Sequence, residues 1–248
     1  MSGAGKYKDV CPETVTRLEA RFAERFKNAR EAEKAVKTAL HQITGAFMTP
    51  DELKRARKLL ADETLPPVQA LTEALRLHAS TRERLPHIDA FYGALLDGLN
   101  PKSLLDLACG LNPLYLGARG YSVRGVDISG GCVSLVNDWA AMRGWDVSAE
   151  CRDLLCDPPL HEADMALAMK LLPVLEQQEK GAAMRLLRRV PAAMIAVTFP
   201  MKTLGGRSVG MESHYSEWFE AAARGDFDIL RREALFGELC YIVRRKAG

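Results

Sequence analysis

From Pro101 onward, short apolar runs alternate with stretches of helical spacing, and few architectures accommodate that rhythm. KSLLDLA, YSVRGVDI, WDVSAEC, ADMALAM and AAMIAVTF read as strands, and residues 112–119, 130–143 and 174–190 between them read as helices. Strands that are apolar throughout are buried on both faces, so the pattern predicts a parallel sheet with helices on either side. The tail FDILRREALFGELCYIVRR departs from it and predicts two strands joined around Phe236-Gly237. The expected fold is a doubly wound, mostly parallel α/β sheet over residues 101–248, finished by an antiparallel hairpin.

Residues 1–100 read instead as an all-helical extension. Val15, Leu18, Phe22 and Phe26 recur at helical spacing, as do Ala32, Val36, Leu40 and Ile43. TPDE (49–52) is a start signal, with Thr49 as cap, Pro50 at the first helical position and Glu52 three residues after the cap. The helix it opens is basic, with Lys54, Arg55, Arg57 and Lys58, and LPP (65–67) closes it. STRE (80–83) reads as a second capping box, opening a helix with Ile88, Phe91, Tyr92 and Leu95 as its apolar stripe.

Composition narrows the function classes. No apolar run reaches eighteen residues, and the first residues show no signal-peptide segment. The six cysteines form no CxxC pair, which favours free thiols in a reducing cytoplasm over disulfides or a metal site. Charge is uneven: residues 1–60 hold 13 Lys/Arg against 8 Asp/Glu, and the remainder 21 against 24. A basic front suits a nucleic acid, although a solvated helical face explains charge alone equally well.

In an open α/β sheet, ligands sit beyond the carboxyl ends of the strands. LLDLACGLNPL (104–114) ends one strand with Gly110 just past it, where a missing Cβ lets a ligand approach the backbone. Asp127 ends the next strand and is placed to accept both hydroxyls of a ribose. Asp153 ends the third, where a carboxylate can receive an adenine amino group. A pyrophosphate needs an open glycine-rich turn and free helix N–H groups, whereas Leu111 is bulky and Pro113 lacks a donor. A nucleoside without phosphates fits better, and S-adenosylmethionine is the common one.

The turn and the hairpin-ended sheet resemble class I methyltransferases. More specifically, KYKDVCPETV, HQITGAFMTP, LHASTRERL, LDLACGLNPL, VDIS, RDLLC, MKLLPVLE and TFPMKTLGGRSVGME resemble the aminoglycoside-resistance 16S ribosomal RNA methyltransferases that modify a decoding-site guanine at N7. The resemblance spans nearly the whole chain. It implies methyl transfer from S-adenosylmethionine to assembled 30S subunits by a cytoplasmic enzyme, expected to be a monomer without a metal. It further implies a cofactor site of Phe47, His78, Ala79, Ser80 and Arg84, with Arg84 on the methionine carboxylate. Ala108 and Gly110 would line the turn, Asp127 and Ile128 meet the ribose, and Asp153 and Leu154 the adenine, with Met169 and Gln178 also in reach. TFP stands where some relatives have SFP.

Guanine N7 carries an in-plane lone pair and is unprotonated at neutral pH, so in-line transfer needs no general base. Positioning and exclusion of water remain, and carboxylates or π faces help as the guanine becomes cationic. Unstacking the target base requires compensating phosphate contacts. Lys54, Arg55, Arg57 and Lys58 are nominated for them, with Lys6, Lys8, Lys170, Lys202 and Arg207. Lys170, Arg207, Met211 and Glu212 are expected to position the target, the last three in a loop made pliable by Gly205-Gly206. Met211 reads equally as a wedge under the base or as a core methionine. A small-molecule methyltransferase and a non-catalytic RNA-binding module are the rival readings.

Overall fold

The structure is a computed structural model that describes residues 9–45, 47–201 and 211–246. Its elements in chain order begin with α1 (Pro12–Arg25), α2 (Ala29–Leu40), α3 (Pro50–Leu60), α4 (Pro67–Leu75), α5 (Ala79–Arg84) and α6 (Ile88–Leu96). The alternating part follows as β1 (Ser103–Leu107), α7 (Asn112–Ala118), β2 (Ser122–Asp127), α8 (Gly130–Arg143), β3 (Val147–Cys151) and β4 (Ala163–Met169). The chain finishes with α9 (Leu172–Gln178), α10 (Ala182–Arg189), β5 (Ala192–Pro200), α11 (Met211–Ala223), β6 (Phe227–Leu235) and β7 (Glu238–Arg245). The strands run in the order β3-β2-β1-β4-β5-β7-β6 in one sheet. All the strands expected from the sequence are present, and the hairpin turns at Phe236-Gly237.

By contact the chain forms two compact units. One comprises Met1–Pro86 with Cys109–Asp157, the other His87–Ala108 with Pro158–Gly248. In the first, β2 and β3 pair in parallel from Val123↔Val147 to Asp127↔Cys151. α8 runs from the Ser129 cap, whose side chain accepts the Cys132 N–H, to Gly144 in the left-handed conformation. Leu18, Phe22, Val36 and Leu40 pack α1 on α2, as their spacing predicts. Thr49 forms the expected capping box: its N–H donates to Glu52 Oε2 at 2.7 Å and its Oγ1 accepts the Glu52 N–H at 3.3 Å.

In the second unit β1, β4 and β5 pair in parallel, β7 runs antiparallel to β5, and β6 pairs antiparallel with β7. β1, β4 and β5 are buried almost throughout, whereas β6 is largely exposed. The apolar-run rule therefore holds for the interior strands.

Two helical expectations are corrected. Residues 174–190 are not one helix: Gly181 takes a left-handed φ of 81°, and Glu176 accepts the Gly181 and Ala183 N–H groups at 2.8 and 2.9 Å. That carboxylate ends one helix and starts the next. STRE is no capping box either, because α5 begins at Ala79 with His78 as cap residue. α5 stops at Arg84, a 3₁₀ turn spans Leu85–His87, and the stripe of Ile88, Phe91, Tyr92 and Leu95 belongs to the separate α6. Pro86 forbids one continuous helix.

Candidate functional site

In the first unit, β2 delivers Asp127 at its last position. Its Oδ2 accepts the Gly110 N–H at 2.8 Å and its Oδ1 the Ser129 N–H at 2.7 Å. Burial pushes this carboxyl above the ordinary carboxylate range, while the Ser129, Gly110 and Ile128 amides pull it back. Each oxygen retains a lone pair for a hydroxyl. Ile128 O accepts the Cys11 N–H at 2.8 Å, and Val10 bridges to Ser129, so the approach to α1 is stitched to the end of β2.

Gly110 has a left-handed φ of 51°, and a Cβ there would lie 2.5 Å from Cε1 and Nε2 of His78. A close approach that requires glycine is thus made by the His78 side chain of this protein itself. His78 is buried, its ring lies 6.2 Å from that of Phe47 at 16°, and its Nδ1 is 3.3 Å from Thr81 Oγ1. The Ala79 N–H donates to Phe47 O at 2.8 Å. Phe47, His78, Ala79, Gly110 and Asp127 therefore form one contiguous chain of contacts. Ser80 is half-buried and Arg84 buried on the same short helix α5.

Asp153 follows β3 and is 4% exposed. Its Oδ2 accepts both Nε and Nη2 of Arg17 on α1, each at 2.9 Å, and its Oδ1 accepts the Leu155 N–H at 2.9 Å. Leu154 is half-buried beside it. The sequence reading had no role for Arg17, because a pairing across 136 positions leaves no local signal.

In the second unit two non-glycine residues are held left-handed at adjoining strand ends. Ala108 follows β1 with φ 54°, and Lys170 follows β4 with φ 54°, as expected one residue past its strand. Backbone strain of this kind gathers at functional edges. The Lys170 N–H donates to Thr198 Oγ1 at 3.1 Å, and that hydroxyl donates to Glu238 Oε2 at 2.6 Å. Lys170 Nζ lies 3.8 Å from Glu238 Oε1. β7 begins at Glu238 opposite Pro200, the last residue of β5, so Glu238 stands at the carboxyl ends of β4 and β5. The sequence reading made no use of this buried carboxylate. Met169 is buried beside Lys170, and Gln178, at the end of α9, donates from Nε2 to Val174 O at 3.4 Å.

Lys6, Lys8, Lys202, Arg207 and Gly205-Gly206 lie outside the described residues. Met211 and Glu212, expected in a loop, form the first turn of α11, and Glu212 Oε1 is 3.3 Å from Arg232 Nη2. On α3, Lys54, Arg55 and Lys58 are exposed. Arg57 is partly engaged: it reaches Gly131 O at 3.4 Å and Asp138 Oδ2 at 3.9 Å. Among the described residues no helix is long and apolar enough to cross a membrane.

Comparison with known proteins identifies the family of the chain. A family profile described as "Ribosomal RNA methyltransferase (FmrO)" matches residues 3–242. A 16S rRNA (guanine(1405)-N(7))-methyltransferase of Serratia marcescens is 39% identical over 241 residues, 97% of this chain and 94% of the relative. One of the same name from Micromonospora echinospora is 35% identical over 255 residues, 97% of this chain and 92% of the relative. The crystal structure of the 16S rRNA methyltransferase RmtF in complex with S-adenosyl-L-homocysteine superposes with a TM-score of 0.89 at 49% identity. That match covers 98% of this chain and 95% of the other.

Proposed function

Because the chain belongs to the FmrO family of ribosomal RNA methyltransferases, we infer that it transfers a methyl group from S-adenosylmethionine to N7 of a guanine in 16S rRNA. The observation that carries the cofactor half is Asp127, whose two oxygens are oriented by the Gly110 and Ser129 amides and still accept ribose hydroxyls. The turn suits this nucleoside and not a dinucleotide: Leu111 is buried and Pro113 stands in the first turn of α7, so this turn offers no glycine-rich cradle for a pyrophosphate. Asp127 and Ile128 hold the ribose, Asp153 and Leu154 the adenine, and Phe47, His78, Ala79, Ser80, Arg84 and Gly110 complete the cofactor contacts of the first unit.

S-adenosylmethionine supplies a methyl group already activated on a sulfonium, so this chain needs to position guanine N7 rather than deprotonate it. Glu238 and Lys170 perform that task in our reading. A carboxylate favours a purine that gains positive charge, and it accepts the N1–H and N2–H donors of guanine. Lys170 matches O6. Thr198 fixes Glu238 through the 2.6 Å bond, so little reorganisation accompanies the reaction.

The basic face of α3, with Lys54, Arg55, Arg57 and Lys58, contacts phosphates of the assembled 30S subunit. Methylation places bulk and positive charge on the N7 edge, which repels polycationic aminoglycosides and removes an acceptor they use. The enzyme works in the cytoplasm as a monomer and without a metal. Tritium transfer to 30S subunits, followed by mass mapping of the 16S RNA, tests the reading. The expected result is one 7-methylguanine at the decoding site. Transfer only to free nucleotides or metabolites would give the activity to a small-molecule enzyme, and no transfer to a binding module.

A further inference from the structure

The two-residue turn between β6 and β7 is built from an unsuitable residue. Leu235 pairs with Glu238, which leaves Phe236 and Gly237 as the turn, with φ of 47° and 86°. Two successive positive φ values favour Asn-Gly, Asp-Gly or Gly-Gly, because a bulky side chain crowds its own carbonyl in the left-handed region. Burial does not compensate, since Phe236 is 53% exposed. A single exposed aromatic is ordinary on a protein surface. An exposed aromatic in a conformation that its residue type disfavours is not.

Two further observations say what the ring is for. The ring stacks on that of His87, with centroids 4.9 Å apart and planes at 15°, and still leaves 53% of the residue exposed. The turn also sits at the functional edge of its unit: Glu238 follows two positions later, and Gly237 O accepts the N–H of Met201, just beyond the end of β5, at 3.0 Å. A part-exposed ring, already stacked on a second ring and placed beside a site proposed to receive a base, is suited to be a stacking platform.

We propose that Phe236, backed by His87, stacks an unpaired nucleobase of the rRNA that flanks the target guanine. This rests on the rRNA reading above. A duplex base has no free face to offer, so the platform selects the distorted strand from which a base has been extruded. Stacking of this kind is sequence-tolerant, since every base has a π face.

The test is Phe236→Asn beside Phe236→Trp and His87→Ala in the full chain, with tritium transfer to 30S subunits, calorimetry with S-adenosylhomocysteine and thermal melts. Asn suits the turn, so Phe236→Asn should melt higher than the parent and bind S-adenosylhomocysteine within twofold. Its KM for 30S subunits should rise about tenfold to a hundredfold, with kcat little changed. Phe236→Trp should keep the parent KM, and His87→Ala should raise it by a smaller factor. An Asn variant with the parent KM, or one that melts lower, overturns the proposal; so does a loss confined to kcat, which would give the ring to the target base itself. A parent protein inert on 30S subunits would instead remove the rRNA reading.

Discussion

The Asp127 turn and the Glu238 cluster each present a carboxylate at strand ends, but they hold it by different means. Asp127 is gripped by the backbone amides of Gly110 and Ser129, so its orientation survives most side-chain changes around it. Glu238 is gripped by side chains, the Thr198 hydroxyl at 2.6 Å and the Lys170 ammonium at 3.8 Å. In the function proposed above, the first arrangement serves as a preset receptor for an invariant nucleoside. The second depends on residues drawn from three strand ends and can be retuned one substitution at a time, which suits the target-site role proposed for it.

The sharpest way to break this comparison is Glu238→Gln. The amide keeps the shape and an acceptor for Thr198 but removes the charge that favours a cationic purine. We expect kcat for 16S methylation to fall about a hundredfold, with S-adenosylhomocysteine affinity within twofold by calorimetry. Equal losses in both would make Glu238 a fold element.

Asp127→Ala should produce the converse, about a tenfold to hundredfold loss of S-adenosylhomocysteine affinity as a charged acceptor is removed, with 30S binding retained. Burial raises the Asp127 carboxyl, so on acidification it protonates earlier than an ordinary aspartate, above about pH 3.9. Cofactor affinity should therefore decline as the pH falls through that raised value, and Asp127→Asn should flatten the decline. Folding moves the other way. A carboxyl raised in the folded state contributes fully below its unfolded pKa, and that contribution is lost as the pH rises through the folded value. An affinity that declined only below the ordinary aspartate range would show that the amides outweigh burial.

The same contrast explains what could be read in advance. Asp127, Gly110 and the Thr49 cap announce themselves because a strand end, a turn or a cap is written within a few residues. The interior strands are equally plain, since β1, β4 and β5 are buried along almost their whole length. Glu238 and Arg17 carry no such signal. Their partners lie 40 and 136 positions away, so only the folded sheet brings them together. The His78 ring packed against Gly110 is likewise silent in sequence, because 32 positions separate the two residues. The break at Gly181 was hidden by apolar spacing that runs on through it.

The basic face of α3 offers a smaller effect. Charge reversal at Arg55 should weaken 30S binding several-fold and lower the salt slope by about one, without changing S-adenosylhomocysteine affinity. Arg57→Glu should weaken it less than Arg55→Glu, because Arg57 already spends part of its charge on Gly131 O and Asp138. A larger effect at Arg57 would mean that it releases these partners on docking. A salt-independent loss at either position would deny the phosphate contact.

The smallest expected effect tests whether α3 acts through its charges or through its stability. Thr49 holds the start of that helix by a reciprocal pair of bonds with Glu52. Thr49→Ala removes the hydroxyl acceptor and leaves the first-turn amides to water, a loss of about 1 kcal/mol. For a chain of this size that lowers Tm by about 2–4 °C, and Thr49→Ser or Thr49→Asp should restore it. Lys54, Arg55 and Lys58 lie one to two turns inside the helix, where fraying of the first turn hardly reaches them. Binding to 30S subunits should therefore change less than twofold in Thr49→Ala. A loss as large as that of Arg55→Glu, unrepaired by Thr49→Ser, would move the RNA contact from the basic face of α3 to its first turn.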